Sequence, residues 1–432
     1  MQRAQEKSPW LWIPSLYFAQ GIPYVAVMVL SVIMYKDYGT SNTDIALYTS
    51  WFYLPWVIKP LWSPLVAMFR SQRFWIVSLQ LLIGPALALV AVSTRLAHFF
   101  PLTLAMFWLI AFSSATHDIA ADGFYMLGLQ EHQQAAFVGV RSTFYRLAMI
   151  SGQGGLVYLA GRLSESTGDK SLAWSVVFYL LAALFIGLSL YHRWVLPKPA
   201  GDRFGVCHGP IVKDFCASFR AFFKKKDIVV ILGFLLLFRL GEAQLLKLAT
   251  PFLLDPLEKG GLGLSMSAVG LVYGSVGVLA LTLGGLLGGY VISRHGLKRC
   301  LWLMVLAVHV PDLVFVYLAS ALPTDVVVVA AFLAIEQFGY GFGFCAYLMF
   351  MIMVADGAHK TAHYAICTGF MALGMMLPGM VSGWIQQQLG YPHFFIWVCI
   401  ATVPGFAMAA LVKIDPAFGK LHGRAQGVKI AL

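Results

Sequence analysis

Long apolar stretches alternate with short polar segments along the whole chain. A helix that crosses the hydrocarbon core of a bilayer needs about 20 mainly apolar residues. Continuous apolar runs predict helices, whereas the strands of an outer-membrane barrel alternate apolar and polar residues. The predicted spans are twelve in number and cover residues 11–34, 45–67, 75–93, 102–127, 135–160, 172–194, 228–254, 267–292, 300–320, 326–353, 363–387 and 393–413.

The composition supports a chain embedded in a lipid bilayer. Hydrophobic residues make up 59% of the sequence and charged residues only 11%, whereas a soluble domain has about 25% charged residues. The formal net charge is +11, which basic loops beside a membrane explain without a nucleic-acid partner. The first apolar stretch is too long for a signal peptide, so we expect it to remain as a helix.

The widest polar gap divides the predicted spans into six and six. Residues 195–227 form a basic linker that contains Lys224, Lys225 and Lys226. We therefore expect an all-α membrane protein with two six-helix bundles, at 1–194 and 228–413, and a cytoplasmic tail at 414–432.

The distribution of Lys and Arg predicts the orientation. If the N-terminus is inside, the inner segments carry 20 Lys and Arg and the outer loops carry five. Cytoplasmic loops are enriched in these residues. The count predicts that both termini are cytoplasmic.

The two halves resemble each other weakly. LYFAQG (16–21) in the first span parallels LLFRLG (236–241) in the seventh, and RSQRFW (70–75) parallels SRHGLKRCLW (293–302). Such a parallel repeat, with a solute site between the halves, is typical of the major facilitator fold. The short basic loop SRHGLKR also resembles a gating loop of that superfamily.

Ten charged residues fall within the predicted spans. A charge at the centre of a bilayer costs about 3 kcal/mol on insertion scales. Five acids against five bases suggest pairing, since unpaired buried charge is strongly unfavourable. The ten are Asp118, Asp122, Glu242, Asp312, Glu336, Lys59, Arg141, Arg146, Arg239 and Lys247.

Asp118 and Asp122 are the most informative pair, because they lie four residues apart on one face of the fourth predicted helix. The depth of a residue in the membrane follows from the rise of about 1.5 Å per residue along its helix. By depth, Lys59, Arg141 and Arg146 are predicted to join the two acids in one network. Loss of hydration favours the neutral form of a carboxylic acid. Such acids can therefore carry a proton inward while a solute binds, and both events bias the same conformational switch.

The predicted site residues have two roles. Bases in a cavity bind anionic groups of a solute, and aromatic side chains stack on a sugar or another ring. The predicted proton-coupling residues are Asp118, Asp122 and Glu336. The predicted solute-binding residues are Lys59, Arg146, Arg239, Glu242, Tyr24 and Trp56.

Each of these residues also has a purely structural interpretation. Asp118 and Asp122 can belong to structural ion pairs, with Lys59 as a neutralising partner. Arg239 and Glu242, three residues apart, can brace their own helix. His117 can be a hydrogen-bonded core side chain instead of a proton relay. For Lys247, lining the outer vestibule and reaching outward to the interface stay equally open.

Motifs for other chemistry are lacking in the sequence. The six cysteines are scattered and form no CxxC pair, so neither a disulfide framework nor a metal site is expected. Neither HExxH nor GxSxG occurs, which argues against an enzyme. We expect no catalytic residues and no cofactor, the proton being the coupling ion.

Short motifs along nearly the whole chain match those of a known transporter group. They are GIP (21–23), KPLWSPL (59–65), SSATHDIAAD (113–122), FYRLAMISGQGG (144–155), LFRLGEA (237–243), EQFGYGFG (336–343) and VPGF (403–406). In these stretches the chain resembles the AmpG-type muropeptide permeases of the major facilitator superfamily.

The resemblance implies proton-dependent import of anhydro-muropeptides, fragments of the cell wall, across the bacterial inner membrane. Asp118 and Asp122 match the acidic pair of the family, and Lys59, Arg146 and Glu336 also fall on motif positions. Relatives of this group carry siderophores or acetyl-coenzyme A, so a different anionic cargo stays open, as does a sensor that does not transport. We expect a monomer.

Overall fold

The computed structural model describes residues 8–129, 131–199, 202, 211–356, 360–416 and 418–419. Its helical elements follow the predicted spans and are labelled α1 to α12. The first six are α1 (Pro9–Asp37), α2 (Asn42–Trp51 and Leu54–Phe69), α3 (Gln72–Ser93), α4 (Phe99–Gly128), α5 (Glu131–Met149, Ile150–Leu156 and Val157–Thr167) and α6 (Lys170–Val195). The second six are α7 (Ile228–Leu254), α8 (Met266–His295), α9 (Leu297–Ala321), α10 (Val326–Ala355), α11 (360–389) and α12 (391–411).

These helices confirm the predicted all-helical class. By length and composition, nine helical segments in the described ranges can cross a membrane. One of the nine, Ala362–Leu411, contains both α11 and α12, which separate at Gly390, where φ is 72°. Glycine reaches this left-handed conformation without a steric penalty. Together with α2 and α5, which are not among the nine, the segments agree with twelve spans.

Each half of the chain has its own apolar core. In the first half, α3 packs against α4 and α6, and α1 packs against α5. In the second half, α10 packs against α8 and α9, and α7 packs against α11 and α12. Buried aromatic side chains such as Phe107 and Phe178 fill the first core, while Phe234 and Tyr347 fill the second. The proposed domain limits stay a prediction.

The two halves meet along two seams, α2 with α11 and α5 with α8. Glycines bring the backbones into contact there. A Cβ atom built on Gly274 of α8 would lie 2.6 Å from the Cα atom of Gly154 in α5. A Cβ atom on Gly383 of α11 would lie 2.1 Å from the carbonyl oxygen of Asn42 in α2. The seams therefore exclude any side chain at these glycines.

At one end, polar side chains tie the halves together; following the predicted orientation we call it the outer end. The Nζ atom of Lys36 lies 2.6 Å from Oδ1 of Asp255. Oδ2 of Asp255 accepts hydrogen bonds from Tyr391 at 2.6 Å and from Asn42 at 3.3 Å. A cavity of about 600 Å³ lies beside these residues. The outer end is closed by this network, the outer lock.

In its described part, the predicted linker contains one helix, Ile211–Phe223. Its end packs on the second bundle, where Phe222 is fully buried against Phe370. Residues 200–201 and 203–210 of the linker, and 417 and 420–432 of the predicted tail, lie outside the described part of the chain.

Candidate solute and proton site

Asp118 lies in the interior of the first bundle, on α4. Its side chain is 13% exposed. Oδ2 accepts a hydrogen bond of 3.0 Å from the indole nitrogen of Trp56 and lies 3.8 Å from Nζ of Lys59. Oδ1 is buried and has no hydrogen-bond partner among the described residues. The carboxyl group is therefore shielded from water but only partly compensated.

Asp122, one turn further along α4, is more open. Its Oδ1 accepts a hydrogen bond of 2.8 Å from Arg141, and the side chains of this pair are 37% and 34% exposed. The guanidinium of Arg141 also lies 4.6 Å from the ring centroid of Tyr17. Asp122 therefore has a direct ionic partner in solvent-accessible space, whereas the cation beside Asp118 lies 3.8 Å away.

Tyr24 and Trp56 form an aromatic corner beside Asp118. Their ring centroids lie 5.5 Å apart with an interplanar angle of 85°, an edge-to-face contact. Both side chains are half-buried. Since Trp56 also bonds to Asp118, any solute that contacts this corner is close to the carboxyl group.

Arg239 and Glu242 form a buried pair on α7. The helix is interrupted at Arg239, between Ile228–Leu237 and Leu240–Leu254. The guanidinium of Arg239 donates to both carboxylate oxygens of Glu242, at 2.9 and 3.2 Å, and to the hydroxyl of Tyr340 at 2.7 Å. The geometry favours the bracing role, because the charge of Arg239 is already neutralised.

Two buried acids of the second bundle have no cation within 4.0 Å in the part of the chain described. Glu336 is 2% exposed, and its Oε2 accepts a hydrogen bond of 2.9 Å from Gln337. Asp312 is 1% exposed, and its Oδ2 has no partner among the described residues. Glu336 is thus buried as a coupling group must be, but away from Arg239.

Arg146 is the clearest difference from the predicted arrangement. It does not join Asp118 and Asp122 but extends from α5 to α8, where a Cβ atom on Gly285 would lie 3.3 Å from its Nη2. Its Nη1 is buried and has no hydrogen-bond partner in the described ranges.

The predicted single network of five charges is wrong. The structure forms two separate pairs instead, Lys59 with Asp118 and Arg141 with Asp122. General pairing of the ten charges is also wrong, since Arg146, Lys247, Asp312 and Glu336 have no ionic partner among the described residues.

A chain of polar side chains behind Asp118 is not evident from the sequence. Gln80 on α3 bonds to Nε2 of His117 at 3.0 Å and to Nδ1 of His192 at 2.8 Å. Nε2 of His192 lies 2.9 Å from the hydroxyl of Ser15. The chain connects α1, α3, α4 and α6, and it gives His117 the hydrogen-bonded core role. Only the polar residues inside apolar spans indicate it in the sequence.

The described residues contain no cluster of three or more His, Cys, Asp or Glu side chains that could hold a metal ion. The site presents single carboxyl groups, cations and aromatic rings. Such groups can bind a proton or an anionic, ring-containing solute.

Known proteins resemble this chain in sequence and in fold. The chain is 27% identical over 370 residues to the anhydromuropeptide permease of Escherichia coli (strain K12), covering 83% of this chain and 70% of that protein. It is 25% identical over 406 residues to the putative transporter AmpG 4 of Rickettsia conorii, covering 90% and 92%. The structure matches a crystal structure of a D-xylose–proton symporter with a TM-score of 0.72 at 10% identity, over 95% of this chain and 98% of that one.

The symporter shares the fold, and the two relatives confirm the resemblance to AmpG-type permeases. The sequence profile of the Major Facilitator Superfamily matches residues 15–355, most of the chain. Together with nine segments in the described ranges that can cross a membrane, this match indicates a multi-pass membrane transporter. The chain belongs to the Major Facilitator Superfamily.

Proposed function

We propose that the protein imports anhydro-muropeptides across the bacterial inner membrane, driven by the proton gradient. The names of the relatives support this cargo, since one is an anhydromuropeptide permease and another a putative AmpG transporter. The single observation that carries the coupling is the shielded Asp118 carboxyl group beside Lys59 and Trp56.

Asp118 and Lys59 supply a physical link between proton and cargo. When Asp118 is charged, Lys59 is attracted to it across 3.8 Å. When a proton neutralises Asp118, Lys59 loses this partner and is free to bind an anionic group of the cargo. Proton and solute then favour the same state, which is the requirement for symport.

The surroundings of Asp118 suit a large polar solute with carboxylates and sugar rings. Tyr24 and Trp56 offer aromatic surfaces on which a sugar ring can stack. Away from Asp118, between α5 and α8, Arg146 has no ionic partner among the described residues and offers a second cation. The same chemistry fits a siderophore or acetyl-coenzyme A, which are the alternative cargoes within the same mechanism.

Orientation and assembly are part of the proposal. We propose that both termini lie in the cytoplasm, because the basic residues concentrate in the segments on that side. We also propose that the monomer is the working unit. Labelling of single added cysteines at residues 39 and 226 with an impermeant reagent tests the orientation: residue 39 reacts from outside and residue 226 does not.

Uptake by proteoliposomes under an imposed pH gradient tests the function. The panel contains an anhydro-muropeptide, a ferric siderophore and acetyl-coenzyme A. We expect accumulation of the muropeptide above its outside concentration, and loss of that accumulation when an uncoupler collapses the gradient. If only the siderophore or only acetyl-coenzyme A accumulated, that compound would be the cargo and the muropeptide assignment would be wrong. Binding without flux would indicate a sensor.

A further inference from the structure

Lys247 is a buried cation between the two bundles. The residue is 6% exposed, and its Nζ atom donates a hydrogen bond of 2.9 Å to the hydroxyl oxygen of Thr49. Nζ also lies 5.4 Å from the ring centroid of Tyr53. No carboxylate of the described residues lies within 4.0 Å of it. An ammonium group with three donors thus has one neutral acceptor and one aromatic ring.

Such a site is unusual, since buried ammonium groups are normally paired with an anion. Two other charged positions along the same helix show the usual arrangement. Arg239 is paired with Glu242, and Asp255, just after the helix, is paired with Lys36. Lys247 lies eight residues from each of them, about 12 Å along a helix. It is therefore the cation on α7 whose anionic partner is missing from the described residues.

The position of Lys247 makes it accessible when the outer end opens. Thr49 belongs to α2 of the first bundle, and Lys247 belongs to α7 of the second. Beside them, a Cβ atom on Gly379 of α11 would lie 2.7 Å from Oγ of Ser50 and 3.3 Å from Cγ of Lys247. Separation of the bundles at the outer lock removes Thr49 from Lys247 and leaves the ammonium group facing the entry path.

We propose that Lys247 binds the anionic group of the incoming solute when the outer end is open, and that Thr49 replaces this group when the outer end closes. The ligand class is a carboxylate carried by a sugar–peptide solute. The inference rests on the proposed function, because it assumes an anionic cargo that enters from the outer side. The proposal adds Lys247 to the solute-binding residues. The solute binds to Lys247 first and then moves inward toward Lys59.

The test compares two probes that differ only in charge. One is an anhydro-muropeptide with free peptide carboxylates, and the other is the same compound with these carboxylates amidated. Initial uptake of each is measured for the wild type and for Lys247→Gln, whose side chain can still donate to Thr49. We expect the wild type to prefer the carboxylate probe by at least about tenfold in kcat/KM, as for a hydrogen bond to a charged group.

In Lys247→Gln this preference falls about tenfold, because the carboxylate probe alone loses its contact with residue 247, while the share of the preference that Lys59 supplies remains. Lys247→Arg keeps the charge and regains most of the preference. The control Lys259→Gln removes a positive charge from an exposed outer position and keeps the preference. Equal loss of uptake for both probes in Lys247→Gln would overturn the inference and leave a structural role.

An unchanged preference in Lys247→Gln, or the same fall in Lys259→Gln, would also overturn it. A wild type that takes up neither probe contradicts the proposed function itself, and the inference falls with it. Failure of the inference alone is recognised by normal wild-type uptake.

Discussion

The indole nitrogen of Trp56 donates a hydrogen bond of 3.0 Å to the carboxylate of Asp118. Trp56 lies on α2 and Asp118 on α4, so the bond connects the aromatic corner to the acid proposed to carry the proton. Because Trp56 also packs edge-to-face on Tyr24, a solute that displaces either ring changes the environment of the carboxyl group. In the proposed function, Trp56 is the side chain that links cargo binding to proton binding.

Asp118→Asn is expected to abolish proton-driven accumulation, because the amide group does not ionise and so cannot take up a proton on one side of the membrane and release it on the other. Accumulation should fall to the level of equilibration, while exchange of labelled for unlabelled cargo continues. The measurement is the inside-to-outside ratio in proteoliposomes under a pH gradient. Asp356→Asn, at an exposed position, is the control and should accumulate normally. Full accumulation by Asp118→Asn would remove Asp118 from the coupling role.

Asp122→Asn is expected to lower the rate without abolishing the gradient effect. The substitution breaks the ion pair between Asp122 and Arg141. Both side chains of this pair are about one-third exposed, and exposed ion pairs contribute about 0–1 kcal/mol to stability. Complete loss of coupling in this variant, with normal coupling in Asp118→Asn, would exchange the roles of the two acids.

Breaking the pair of Arg239 and Glu242 is expected to destabilise the fold. Removing one partner of a buried pair costs about 3–5 kcal/mol, whereas replacing both by apolar residues is often neutral. Arg239→Met and Glu242→Gln should therefore melt at lower temperature in detergent, and the double variant Arg239→Met with Glu242→Leu should recover.

Lys413→Met serves as the matched control, since Lys413 forms an exposed pair with Asp227 at 3.1 Å. It should change the melting temperature little. A double variant that regains its melting temperature but takes up no cargo would show that the pair acts on the solute instead of bracing α7.

Gly274→Ala is expected to block closure of the outer end. A Cβ atom at this position would lie 2.2 Å from the carbonyl oxygen of Gln153 and 2.6 Å from the Cα atom of Gly154. The seam between α5 and α8 must then widen, and uptake should fall at least tenfold while the protein still inserts in the membrane. On the same helix, Gly289 has no neighbouring atom within 4 Å of its built Cβ, so Gly289→Ala should transport normally.

The outer lock is expected to hold the closed conformation. Lys36→Met removes the 2.6 Å contact with Asp255, and a hydrogen bond to a charged group contributes about 1.5–3 kcal/mol. The population open at the outer end should rise, which distances between spin labels on α1 and α7 can measure. Lys170→Met is the control, because its 2.9 Å pair with Asp37 lies within the first bundle. Equal distance distributions for both variants would contradict the role of the lock.

Local sequence patterns were sufficient for the helical class, the approximate spans and one ion pair. Hydrophobic length predicts a spanning helix wherever it occurs in the chain. The pair of Arg239 and Glu242 follows from a spacing of three residues, which places both on one side of a helix. The acidic pair on α4 was likewise visible, because a carboxylate inside an apolar stretch is conspicuous.

Only the tertiary structure decided which of these charges meet. Trp56 reaches Asp118, Lys247 reaches Thr49 across the bundles, and Arg146 turns away to α8. These contacts join residues 62, 198 and 139 positions apart. They depend on how each helix is rotated and tilted against its neighbours. That rotation is set by the packing of whole helix faces, which the periodicity of a single helix does not contain.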